Sequence, residues 1–330
     1  MTLLERRPFF ALLLTAVLFF VAANLFIAPR SHRMPYHAML DTIQAPGNPS
    51  LILVGNSLLL NVEDRTLDQT TARAGLATST LNTALSGAWP PEQRLLFEYS
   101  LQHHPSLRIL VVGFYDFQLT QPDHSGVGDL IFGRQVGIDP RLPLQHVAAA
   151  YQFGRARTLE LRIVRDVPLF AYRAGAWGRV EFLRRALARV GIPNGDSEHD
   201  NDDLEADSPQ AFDREAFAFA HQPLRFNTSF DAIFQEARNH GMQIVAVVMP
   251  MSSSHLRTFY DRRSWPQYLN ALGSAARAEN LPIHFIDASR WEPARIEGQS
   301  SFDDNLHMTP AAATDFTRRL GPALARTLQP

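Results

Sequence analysis

The chain predicts an α/β fold built on a mainly parallel sheet, with one N-terminal membrane-spanning helix and a long helical insertion. Three observations carry this reading. Short apolar runs alternate with segments of helical spacing, the pattern of strands joined by covering helices. An uncharged run of twenty-one residues, Pro8 to Ala28, stands near the start. The strand–helix rhythm lapses between about residues 117 and 224, which marks the insertion.

Composition narrows the chemistry. At 330 residues there is length for one large or two modest domains with a sizeable core. All 31 basic residues are Arg, which removes Schiff-base, P-loop and kinase-type lysines. The absence of Cys removes thiol nucleophiles, thiolate metal sites, disulfides and thioether lipid anchors, and leaves the redox compartment unstated. A net charge of −2 argues against nucleic acid as the main partner.

The run from Pro8 to Ala28 is long enough to cross a hydrocarbon core as a helix. Arg6 and Arg7 precede it and Arg30 and Arg33 follow it, so only the terminal amine tips the N-terminus inward. A cleaved signal peptide is the competing reading, since Val21-Ala22-Ala23 offers small residues for a cleavage site. The apolar run continues well past that point, which favours a retained anchor over residues 1–34. Residues 35–330 then form one body outside the membrane, because no second run of spanning length follows.

Within that body, Leu51 to Val54 reads as a buried strand stopped by Gly55, and Thr78 to Leu85 as a weaker one ending at Ser86-Gly87. Pro90 to His104 reads as a helix, with Pro at its start and Leu95, Leu96 and Tyr99 at helical spacing. Arg108 to Val112 is a strong strand stopped by Gly113. A helix from Phe230 to His240 is closed by Gly241 and leads into the strand Gln243 to Met249. A helix from about Trp265 to Asn280, the strand Pro282 to Asp287 and a helix from Pro310 to Leu328 complete the series.

The insertion is arginine-rich and apolar at first, as in Arg162-Ile163-Val164-Arg165 and Phe182 to Leu187. Such helices either lie on anionic lipid or pack on the core with Arg facing water. Its later part, Asp196 to Asp207, packs seven carboxylates into twelve residues without the central glycine of a calcium loop, and reads as a solvated loop.

Strand ends at Gly55, Gly87 and Gly113 would share the carboxyl edge of one sheet, where open α/β sheets bind ligands. At the first, Gly55-Asn56-Ser57 exposes a hydroxyl and aims the following N–H groups at the same point. A serine needs a base, and the base an orienting carboxylate. Asp304-Asn305-Leu306-His307 offers both from one turn, beyond the last strand. Most of the other histidines read as surface or capping residues, such as His103 and His104 at a helix C-terminus.

These residues resemble the SGNH (GDSL-like) hydrolase superfamily, whose marks are a strand–Gly-Asp-Ser turn, a glycine after the second strand, Gly-x-Asn-Asp after the third, and a late Asp-x-x-His. The resemblance covers about residues 50 to 328 with the insertion set aside, and implies a three-layer α/β/α sandwich. It casts Ser57 as nucleophile, His307 as base, Asp304 as its partner and Gly87 as an oxyanion donor. Two departures stand out. Asn56 replaces the usual Asp, and Gly113-Phe114-Tyr115-Asp116 carries Tyr where the oxyanion Asn would sit. Losing one such donor costs about 3 kcal/mol in the transition state. Tyr115 either substitutes through its hydroxyl or packs beneath the insertion.

The membrane-anchored branch of the superfamily is similar in layout: proteins of alginate acetylation and teichoic acid D-alanylation have one N-terminal helix and an SGNH-like domain beside a membrane-bound O-acyltransferase. Pro250-Met251-Ser252-Ser253-Ser254-His255 is a further shared feature, with His255 either a substrate contact at the rim or a plain helix-start residue. The resemblance implies an enzyme of the bacterial inner membrane, its soluble domain periplasmic or otherwise extracytoplasmic. It would act through a Ser-His-Asp triad on acyl esters, such as acetyl, of an envelope polysaccharide, by transfer or hydrolysis, with no metal or organic cofactor. A non-catalytic glycan-binding or scaffolding subunit of an acyltransferase complex is the second reading, and a simple secreted esterase the third.

Overall fold

The structure is a computed structural model that describes residues 7–31, 35–121, 136–166, 208–291 and 301–329. In chain order the described elements begin with α1 (Arg7–Ser31), α2 (Pro35–Gln44), β1 (Leu51–Val54), α3 (Asp64–Arg73), β2 (Thr80–Asn82), α4 (Pro90–His103) and β3 (Ile109–Phe114). A short 3₁₀ turn at Val136–Ile138, α5 (Leu144–Ala150) and α6 (Arg155–Asp166) follow. The remainder is α7 (Pro209–His221), α8 (Thr228–Asn239), β4 (Gln243–Val248), α9 (Ser264–Ala278), β5 (Ile283–Asp287) and α10 (Pro310–Leu328).

The chain divides into two compact units, Met1–Ala38 with Ser125–Asp196 and Met39–His124 with Ser197–Pro330. The second holds the sheet. Its five strands are all parallel in the order β2-β1-β3-β4-β5. Every residue of β1 and β3 is buried, as apolar runs without alternation require when both sheet faces are covered. The outermost strands, β2 and β5, are only partly buried. Right-handed crossovers put α3 on one face and α4, α8 and α9 on the other. The observed pairing of α3 with α10, and of α4 with α8, agrees with this two-sided covering. Helix starts follow local chemistry: Asn227 caps the Phe230 N–H at 2.9 Å, and Thr309 and Ser208 cap the helices that open with Pro310 and Pro209.

Three expectations change. The strand expected from Thr78 to Leu85 is confined to Thr80–Asn82, although the N–H groups of Thr83 and Leu85 still reach the carbonyls of Leu53 and Gly55 at 3.0 and 3.3 Å. Gly113 does not stop β3 but lies inside it. A Cβ there would sit 2.6 Å from Leu59 Cδ1, so the glycine is a seat for that side chain. Finally, the insertion does not form one block from 117 to 224. Phe117 and Leu119 are buried in the sheet-bearing unit, and α7 packs on α9 through Phe212 and Ala216.

In the first unit, α1 is a 25-residue helix whose described side chains are mostly apolar and largely exposed, Leu12, Phe19 and Leu25 among them. Asn24 turns its amide back onto the Phe20 carbonyl at 2.8 Å. Side chains are described there for Phe10 and residues 12–25, and among the described residues no helix is long and apolar enough to cross a membrane. Helix α6 buries Leu161 and exposes Leu159 and Ile163, while Arg165 donates to the carbonyls of Gly137 and Leu142. Phe182 to Leu187 and Asp196 to Asp207 lie outside the described residues.

Asp139 organises this unit. Its carboxylate is fully buried and accepts from Arg141 Nε and a terminal nitrogen at 3.0 and 2.9 Å, and pairs with His37 Nδ1 at 2.5 Å. Burial alone would raise its pKa, but the bonds from His37 and Arg141 outweigh it and hold the carboxyl well below the usual carboxylate range.

Two outcomes are expected. In α10, a Cβ on Gly321 would lie 2.1 Å from Thr70 Oγ1 and 2.9 Å from the Thr71 nitrogen. Gly321→Ala gains about 1 kcal/mol of helix propensity but overpacks two helices at a cost of about 1–3 kcal/mol. Urea unfolding of the full-length chain should show a lower midpoint. A carboxyl with a depressed folded pKa stabilises above its unfolded value near ~3.9, and loses that contribution as pH falls through the folded value. Asp139→Asn should therefore lower stability by about 3 kcal/mol at pH 7, with the deficit shrinking at pH 3 in paired denaturation curves.

Candidate active site

The parallel sheet delivers every strand's C-terminal end to one edge, and the order reverses between β1 and β3, where crevices form in such sheets. Ser57 follows β1 on a tight turn. The Asn56 side chain is buried, and its Oδ1 accepts the Leu58 N–H at 3.1 Å, closing a small ring that turns the chain at the serine. The next turn inserts Leu59 between Gly55 and Gly113: a Cβ on either would lie 2.7 or 2.6 Å from Leu59 Cδ1. Asn56 is thus a positioning residue, and the two glycines set the depth at which the serine turn sits.

The histidine arrives from the far end of the chain. Residues 301–309 form a braced loop: Phe302 and Met308 make an antiparallel bridge, and the Asp303 N–H meets the His307 carbonyl at 2.8 Å. Inside it, Asp304 Oδ1 accepts the backbone N–H groups of Leu306 and His307, both at 2.7 Å. Oδ2 faces His307 Nδ1 at 2.6 Å. Burial acts to raise the Asp304 pKa, but these hydrogen bonds prevail and hold it below the ordinary carboxylate value. The anionic carboxylate places the ring proton on Nδ1 and leaves Nε2 as an acceptor. His307 Nε2 lies 2.7 Å from Ser57 Oγ, across 250 positions of sequence. The three residues expected from the sequence to meet do meet.

Gly87 and Tyr115 share a cavity of about 200 Å³ with Asn56, Trp89, Gln118 and Gln121. Gly87 has φ +65°, a left-handed turn that favours glycine. This cavity reaches the serine turn through Asn56; neither its lining nor those of the larger cavities, beside Thr66 to Ala74 and between residues 220–224 and 267–278, hold Ser57, His307 or Asp304.

His255 departs from the rim position expected of a substrate contact. It is 7% exposed, and its Nε2 lies 3.0 Å from Asp116 Oδ1. The same oxygen accepts the Tyr260 hydroxyl at 2.8 Å, and that hydroxyl accepts the Asp116 N–H at 2.8 Å. Asp116 has φ +44°, sparsely populated for a residue with a side chain, and its neighbours over-determine it. Tyr260 ends a single π turn, Leu256–Tyr260, and stacks on Trp265 at 3.9 Å. Burial, together with the Asp116 charge, pushes its phenol well above the ordinary value, so it stays a neutral donor. Ser252 ties the same segment to the histidine loop, its N–H meeting the Asn305 carbonyl at 3.2 Å. The loops after β3, after β4 and before α10 are thereby laced together. Sequence reading named Asp116 only as part of a motif and missed Tyr260, which no local pattern distinguishes from other core aromatics.

Tyr260→Phe removes both contacts to Asp116. It is expected to cost about 1–3 kcal/mol, read as a lower thermal unfolding midpoint, because the Asp116 N–H loses its partner.

No protein-family model matches the chain, and no curated protein matches it. Among solved structures it is similar to a GDSL-like lipase from Bacteroides thetaiotaomicron VPI-5482, at 10% identity and a TM-score of 0.39, over 89% of this chain and 98% of that one. A likeness of that degree carries no activity from one chain to the other.

Proposed function

We propose that the chain is an SGNH-like serine enzyme of acyl esters, tethered to the extracytoplasmic face of the bacterial inner membrane and acting on acyl groups, chiefly acetyl, of an envelope glycan. The observation that carries this is the relay of 2.7 Å from Ser57 to His307 and 2.6 Å from His307 to Asp304. As Ser57 Oγ bonds to the acyl carbon, His307 Nε2 takes its proton and the carbonyl pair moves onto oxygen. Collapse of that intermediate breaks the bond to the leaving sugar oxygen, which takes the proton from His307. Attack by water or a second sugar hydroxyl on the acyl-serine, with His307 again accepting the proton, completes hydrolysis or transfer and restores Ser57. Asp304 holds the imidazole and stabilises its cationic form.

Several features support the finer parts. The cavity of about 200 Å³ that reaches the serine turn through Asn56 leaves room for a small group there. The exposed apolar side chains of α1 suit a lipid tether, and a tether beside a membrane-bound O-acyltransferase suits transfer. A second reading, a non-catalytic glycan-binding or scaffolding subunit of such a complex, is favoured by Tyr115 standing where the resemblance expects an oxyanion Asn.

A fluorophosphonate probe on membranes bearing the full-length chain separates the two. The enzyme predicts covalent labelling that disappears in Ser57→Ala and slows by at least ~10²-fold in His307→Ala. A folded wild-type chain that takes up no label identifies the scaffold.

A further inference from the structure

We infer that α6 carries a seat for anionic phospholipid: one face of this helix docks on the headgroup layer of a negatively charged bilayer. The inference goes beyond the acyl-ester reading and does not rest on Ser57. Positions 155, 159, 162 and 163 recur at helical spacing and share one face. They are Arg155, Leu159, Arg162 and Ile163, all exposed, with the leucine at 57% and the isoleucine at 47%. The opposite contacts fix that orientation. Leu161 is fully buried, and Arg165, one turn further on, donates to the carbonyls of Gly137 and Leu142.

The two arginines of this face have no acidic counterpart. Neither Arg155 nor Arg162 forms an ion pair among the described residues. Of the two acids in α6, Glu160 pairs with Arg157 at 2.9 Å on the far side of the helix, and Asp166 at its end pairs with neither. Between α5 and α6 lies a cavity of about 480 Å³, lined by Arg155, Arg162, Gln145 and Thr158 together with Leu159 and Phe153. A single exposed leucine is ordinary, but here exposed aliphatic side chains alternate with guanidiniums around a cavity. That mixture matches the depth at which lipid phosphates give way to acyl chains. A guanidinium presents forked donors to phosphate oxygens while its stem covers apolar surface. The occupant is lipid rather than an acidic protein because the same compact unit contains α1, whose exposed Leu12, Phe19 and Leu25 call for hydrocarbon. With −2 on the whole chain, the attraction is local to these arginines.

The chain has no cysteine, so Ala156→Cys gives a unique labelling site beside Ile163 at the margin of this face, and Arg157→Cys gives one on the far side. The full-length chain, carrying an environment-sensitive fluorophore at either site, is floated with vesicles of phosphatidylcholine alone or with about one third phosphatidylglycerol. On the anionic vesicles the label at 156 is expected to emit at shorter wavelength and to be quenched by nitroxide-bearing lipid, while the label at 157 reports water. Arg155→Gln combined with Arg162→Gln should lower the docked-to-free ratio read from that emission by ~20-fold. Both arginines are exposed, so the fold is expected to survive, and thermal unfolding of each variant checks it. A label at 156 that stays in water on anionic vesicles with which the chain floats overturns the seat and leaves the tether standing. An equal shift on phosphatidylcholine, or one that the double glutamine variant keeps, overturns the role of the arginines and the choice of anionic lipid with it. A chain that floats with neither vesicle overturns both seat and tether.

Discussion

All of the chemistry in this molecule depends on five strands running the same way. Parallel pairing sends every strand's exit to one edge, so a serine after β1 and a histidine after β5 reach the same crevice although 250 positions separate them. The pairing is held by burial rather than by local preference. β1 and β3 are apolar at nearly every position and buried throughout, which leaves them no solvent face and fixes them at the centre of a covered sheet. Glycines then tune the edge: Gly55 and Gly113 make the depression that Leu59 fills, and Leu59 belongs to the turn that carries Ser57.

A second layer of constraint keeps the edge rigid. Loops usually carry function but also move. Here three of them share hydrogen bonds: Asp116 with Tyr260 and His255, and Ser252 with Asn305. The strained backbone at Asp116 persists because a buried phenol and a buried imidazole hold it from two sides. His255 thus braces the loop after β3 through Asp116. The histidine loop is braced within itself as well, since one carboxylate satisfies two backbone N–H groups and the ring together. Such mutual bracing holds the His307 imidazole within hydrogen-bond distance of the Ser57 hydroxyl.

The first compact unit is held on different terms. It groups α1 with residues 136–166 of the insertion, and its centre is ionic: Asp139 between His37 and Arg141. Arg165 spends its guanidinium on backbone carbonyls, so one of the arginines that suggested a basic surface is an internal fastening. The exposed Leu159 and Ile163 on α6 retain the amphipathic pattern read from the sequence.

What the sequence alone determined is the part written in short-range chemistry. Apolar runs located β1, β3, β4 and β5, prolines marked the starts of the helices at Pro90 and Pro310, and Asp304 three positions before His307 announced a carboxylate and an imidazole on one turn. The tertiary structure alone decided what depends on approach between distant segments. Gly113 reads locally as a stop, yet it sits inside β3 because Leu59 needs the space. His255 reads as either a rim contact or a helix-start residue, and only the fold shows it in a short helix, buried against Asp116. Tyr260 carries no local mark, since it matters through a partner 144 positions away. Periodicity records which face of a segment is apolar; it holds no record of which other segment that face or its edge will meet.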